Sequence, residues 1–159
     1  MAMQAQGAEV IEFERPSATK LRAIAAELDF SKPLKWDSLD KLSEFYALCE
    51  RSPLHSVVAK IWPVVADKLL ELTNTHNRPK GDHYAALMSM YCREGVYTLT
   101  GDTLKWSKTG VMLDGQHRLS GCVGSKLPIE SHVVFGLSDD LFDLIDQGKK
   151  RSPGDILAL

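Results

Sequence analysis

Apolar residues recur at helical spacing through the first half of the chain. In SATKLRAIAAEL (17–28), Leu21, Ile24, Ala25 and Leu28 fall on one face, and Ser17 stands where an N-cap is needed. SLDKLSEFYALCE (38–50) repeats the pattern with Leu39, Leu42, Phe45, Tyr46 and Cys49. LHSVVAKIWPVVADKLLELTN (54–74) is again apolar at helical spacing. Pro63 removes one amide donor there, so a kink or a meeting of two helices is expected. A turn-rich junction, NTHNRPKGD (74–82), leads into DHYAALMSMYCREG (82–95), a helix with Asp82 as cap and Gly95 as stop. Residues 1–16 read as a loose arm with a short β-like piece, EVIEF.

The pattern changes after Gly95. VYTLT and DTLKW are short β-like pieces, and DTLKW-SKTG-VML reads as a hairpin whose tight turn ends on Gly110. HRLSGCVGSK is a helix weakened by Gly121 and Gly124, and IESHVVFG (129–136) is a strand. SDDLFDLIDQG (138–148) is a helix with acids in its first turn and Gly148 past its end. RSPGDILAL starts another, with Ser152 as cap, Pro153 at the first position and Asp155 closing the box. Its apolar end, Leu157 and Leu159, needs a neighbour, either the same domain or a second subunit. The expected fold class is α+β in one domain: a helical N-terminal part (1–73) packed on a small β-hairpin–α–β–α unit (74–159).

With 159 residues the chain is long enough for one domain with a real core. A hydrophobic share of 44% and a charged share of 25% are those of an ordinary globular protein. The net charge of −2 does not advertise nucleic acid, so any DNA contact needs a local basic patch. Three cysteines, Cys49, Cys92 and Cys122, form no CxxC pair, which argues against a disulfide framework or a zinc site and fits a cytoplasmic location. No apolar run reaches the roughly 20 residues of a membrane helix, and the N-terminus does not read as a secretory signal.

Candidate chemistry concentrates in GVMLDGQHRLSGC (110–122), where an apolar strand hands over to a helix. A helix start has unpartnered backbone N–H groups and partial positive charge. Gly115 lets the backbone approach a ligand, Gln116 and His117 offer donors, and Arg118 carries a bidentate fork suited to phosphate. Asp114 is placed to cap the helix or to hold a metal ion or water. The same spacing also suits a plain structural turn, with Asp114 capping, Arg118 paired with a surface acid and His117 solvated.

LDGQHRL, preceded by a hairpin and followed by a helix and the strand IESHVVFG, resembles the ParB/sulfiredoxin-like superfamily. NRPKGDHYAALMSMYCREG and DLIDQGKKRSPGDIL are similar to the flanking segments of its plasmid and phage members, so the resemblance spans about 74–159. Sulfiredoxin carries Gly-Cys-His-Arg at this turn and ParB carries Gly-Glu-Arg-Arg, where this chain has Gly115-Gln116-His117-Arg118. The resemblance implies that Arg118 contacts the phosphates of a nucleoside triphosphate (ATP or CTP), with Gly115, Gln116, Asn77 and Arg78 lining the pocket. By the chemistry of the residues, Mg²⁺ or another divalent cation would enter with the phosphate and be held by oxygens such as those of Asp114. In catalysis Asp114 would orient water or metal, Arg118 would hold phosphate and His117 would be the acid/base candidate. ATP or CTP hydrolysis, DNA cleavage, or both would follow, in partition or in competition between mobile elements. Gln116 stands where sulfiredoxin has cysteine, so sulfinic acid reduction is not expected. It also stands where ParB has glutamate, which leaves Asp114 as the nearest carboxylate. The helix-turn-helix of ParB has no counterpart before Leu159, so centromere reading is not expected.

Lys149, Lys150 and Arg151 in QGKKRSP form a short basic run suited to DNA phosphates, or to nothing beyond a solvated loop. Cys122 lies one turn beyond Arg118 and reads as a core residue rather than a reactive thiol. Trp62, Trp106 and Tyr97 read as core, and His76 and His83 flank the Asn77-Arg78 junction. The competing functional class is a non-catalytic interaction protein. Its helical half would meet a protein partner or a second copy of the chain and inhibit a DNA-transfer or defence machine.

Overall fold

The computed structural model describes residues 12–51, 53–75, 77 and 81–145. Its centre is a five-stranded mixed sheet in the order β1-β2-β5-β3-β4. The strands are β1 Leu34–Trp36, β2 His55–Ile61, β3 Thr103–Ser107, β4 Met112–Asp114 and β5 Ile129–Leu137. The helices are α1 Ala18–Glu27, α2 Leu42–Glu50, α3 Pro63–Thr73, α4 Asp82–Arg93 and α5 Gln116–Ser125. β1 runs parallel to β2, β2 antiparallel to β5, β5 parallel to β3, and β3 antiparallel to β4. The α+β class is as the pattern predicts.

The N-terminal half departs from the all-helical expectation. It supplies two strands of the same sheet, one of them in register with all but the last two residues of β5. The segment expected to be a kinked helix is a strand followed by a helix. In β2, Val57, Ala59 and Ile61 are buried while the residues between them face outward, the two-residue period of a sheet. Its β-branched residues favour the extended chain. Pro63 is the first residue of α3, where the missing N–H has no helical partner to lose.

Three smaller expectations also change. VYTLT (96–100) forms no regular strand, and Asp139–Asp143 is a short 3-10 turn rather than the opening of a longer α-helix. Trp62 is half-buried, with the ammonium groups of Lys35 and Lys60 within 5.6 Å of its ring, so it is not a core residue. The predicted helix at RSPGDILAL and most of EVIEF lie outside the described residues.

One face of the sheet is buried against helices. Trp36, Phe45, Trp106 and Phe135 meet there as an aromatic cluster, with Phe45 edge-on to Trp106 at 5.2 Å and to Phe135 at 5.8 Å. The other face carries Lys35, Lys60, Glu130, His132 and Lys105, none of them fully buried.

α5 packs closely on α4 through its glycines. A Cβ on Gly121 would lie 2.6 Å from Met88 Cβ, and one on Gly124 would lie 2.4 Å from Ser89 Oγ. The residues that lower helix propensity are therefore the ones that let the two backbones approach. This contact sets the N-termini of α4 and α5 side by side.

Candidate functional site

The turn between β4 and α5 is built around Gly115, which has φ +119° and serves as the N-cap of α5. A Cβ there would also strike Leu104 Cδ2 at 2.4 Å, so packing as well as backbone conformation demands glycine. The open side of Gly115 faces the protein's own core rather than a ligand.

Asp114 does not cap α5, because no side chain caps that helix. A β-bulge between Lys105 and Trp106 places Asp114 opposite Lys105 in the β3–β4 ladder. Its Oδ2 accepts from Lys105 Nζ at 2.7 Å and pairs with Arg118 Nη2 at 3.2 Å. Arg118 is one turn further along α5, at the spacing that brings i and i+4 together. The other guanidinium nitrogen, Nη1, is buried and has no hydrogen-bond acceptor among the described residues.

Gln116 is buried, and its Oε1 accepts from Asn74 Nδ2 at 2.7 Å. Asn77 Nδ2 donates to Asn74 Oδ1 and, at 3.1 Å, to Met112 O. The start of α5 is thus tied to the end of α3 and to β4 by amides. A second anchor holds the same region: Trp106 Nε1 donates to Thr73 Oγ1 at 2.9 Å, and Thr73 Oγ1 donates to Leu69 O at 2.6 Å. The ring of His117 lies 5.5 Å from that of Tyr84 in the first turn of α4, and His83 meets Tyr84 at 5.6 Å. Tyr84 remains 42% exposed, which leaves part of its ring open to solvent.

Asp114, Gly115, Gln116, His117, Arg118 and Asn77 therefore share one region where β4, α5 and the end of α3 meet. Arg78, His76, Lys149, Lys150 and Arg151 lie outside the described residues. Cys122 is buried, donates to Leu127 O at 3.2 Å, and has its thiol pushed up to about 12 by burial. That environment suits a core thiol and not a nucleophile. Among the described residues no group of three His, Cys, Asp or Glu is placed to hold a metal ion.

Sequence reasoning missed Lys105, Asn74 and Tyr84. Lys105 carried a signal: it alternates with Leu104 and Trp106, and counting back from the hairpin turn sets it near Asp114. Asn74 carried none, since its partner Gln116 is 42 positions away.

No protein-family model matches the chain, and neither a curated protein nor a solved structure matches it. Among the described residues, no helix is long and apolar enough to cross a membrane.

Proposed function

We propose that the protein is a nucleotide- and DNA-binding protein of the ParB/sulfiredoxin-like kind, whose Gly115–Arg118 turn holds the phosphates of ATP or CTP. The observation that carries this reading is Arg118. Its guanidinium is largely buried beside Lys105 near the start of α5, with Nη1 lacking an acceptor among the described residues. Helix starts favour anions, and a guanidinium fork matches phosphate oxygens. Arg118 and Lys105 bind phosphate, and the half-exposed ring of Tyr84 offers a face for a base. Asp114 orients water or a divalent ion such as Mg²⁺ once the phosphate has taken its place on the two cations, and His117 is the acid/base group. Acting in partition or in competition between mobile elements, the protein would hydrolyse the nucleotide, cleave DNA, or both.

The test is turnover of ATP and CTP, with and without Mg²⁺ and plasmid DNA, while the same plasmid is followed for nicking. Wild type should turn over nucleotide or nick DNA, and Arg118→Ala should lower the rate by about a hundredfold. Equal rates in the two proteins would refute the assignment.

A second reading is favoured by one observation: the charge of Asp114 is already neutralised by Lys105 and Arg118. The turn is then a nucleotide switch or a structural joint in a non-catalytic interaction protein. In that case the biological effect survives Arg118→Ala but not disruption of α1 and α2.

A further inference from the structure

We propose that Asp114 is a built-in anion that stands in for a ligand phosphate, and that phosphate binding displaces it from Lys105 and Arg118. This rests on the phosphate-site reading above and adds how the site is kept closed.

Both cations use the same carboxylate oxygen. Lys105 Nζ is 2.7 Å and Arg118 Nη2 is 3.2 Å from Asp114 Oδ2. Two positive groups on one negative group leave a local excess of one positive charge. The contact also satisfies only one arm of the guanidinium, since Nη1 is buried without an acceptor among the described residues. A carboxylate that fully matched Arg118 would meet both arms with its two oxygens. Asp114 does not do so: Lys105 and Arg118 both meet the one oxygen, Oδ2.

A terminal phosphate presents three oxygens in a tetrahedral array. It carries an oxygen for each of Nη2, the Lys105 ammonium and, once Asp114 has moved aside and Nη1 is uncovered, Nη1. The chemical class selected is therefore a phosphate monoester or the end of an oligophosphate chain. A carboxylate ligand brings two oxygens to these three donors, one fewer than a terminal phosphate. The displaced side chain has somewhere to go, because it is already 35% exposed. Once released, its carboxyl group lies beside the phosphate and free of its two cations. That is the state in which it can orient water.

Displacement predicts a sign opposite to that of a metal ligand. A carboxylate that holds a metal for the phosphate helps binding, whereas one that competes with the phosphate hinders it. The experiment is calorimetric titration of inorganic tripolyphosphate into the full chain, first with EDTA and then with Mg²⁺ present, using wild type, Asp114→Asn, Asp114→Ala and Arg118→Ala. Circular dichroism melts verify that each variant is folded. Both Asp114 variants should bind on the order of tenfold more tightly than wild type, because a like charge beside the ligand has been removed. Arg118→Ala should bind far more weakly.

Binding by the variants alone, with none by wild type, also supports displacement. Saturable wild-type binding with no gain in either folded Asp114 variant overturns displacement and leaves the phosphate site standing. Absence of binding in all proteins overturns both. A measurement on wild type covers the case of a variant that does not fold. The carboxyl ¹³C signal of Asp114 and the side-chain signals of Arg118 should move together as phosphate is added. A fixed Asp114 signal while Arg118 moves would contradict the proposal.

Discussion

The amide of Asn74 stabilises the turn by satisfying a buried acceptor on Gln116. Asn74→Ala leaves that oxygen without this donor and should destabilise the protein by roughly 1–3 kcal/mol in urea unfolding. An unchanged midpoint would mean that the amide contact is not formed in solution. How much could be read in advance differs from residue to residue. Gly115 and Arg118 were legible because their signal is local: a glycine between strand and helix, and a cation one turn later. The pairing of Asp114 with Lys105 needed the hairpin register, which the bulge shifts by one residue. The Asn74–Gln116 contact is a property of the packed molecule, and no local pattern encodes it.

Helix propensity and packing make opposite predictions for α5. Propensity alone says that Gly121→Ala should stabilise the helix by about 1 kcal/mol. Its new Cβ would lie 2.6 Å from Met88 Cβ and 3.0 Å from the Met88 carbonyl carbon on α4. Neither is the free end of a flexible side chain, so the helices must separate. Overpacking of this kind costs about 1–3 kcal/mol. Gly121→Ala should therefore lower the melting temperature, and a rise would show that α4 and α5 are less tightly packed than described. The one large misreading of an element was β2. Val57, Val58, Ile61 and Val65 satisfy helical spacing, while Val57, Ala59 and Ile61 satisfy strand spacing. Both periods fit the same residues, and pairing with β5 decides between them. Pro63, read as a kink, marks the boundary.

Across the whole molecule, packing against the buried face of the sheet holds two of the three thiols, Cys49 and Cys122, in apolar surroundings. Burial raises Cys122 from the ordinary 9.0 to about 12 and pushes Cys49 up as well. A raised folded value means that the folded protein keeps protons which the unfolded chain releases. Their contribution to stability is complete below pH 9 and is lost as pH rises from 9 towards 12. Urea midpoints measured from pH 8 to pH 11 should fall above pH 9. Native alkylation at pH 8 should reach Cys92, which is half-exposed, before Cys49 and Cys122. Rapid native labelling of Cys122 would revive a thiol chemistry that its surroundings disfavour. On the same scale, the sheet binds the two halves of the chain into one framework. The helices α3, α4 and α5 converge at one end of it, where the turn sits.

We propose that this convergence is a phosphate site. Amide and side-chain chemical shifts followed during addition of ATP, and separately of CTP, test it most directly. A phosphate site there should give saturable changes centred on Asn77, Gly115, Gln116, His117 and the Arg118 guanidinium, weakening as salt is raised. Changes centred elsewhere, or none at millimolar nucleotide, would contradict it and leave the Asp-Gly-Gln-His-Arg turn as a structural joint.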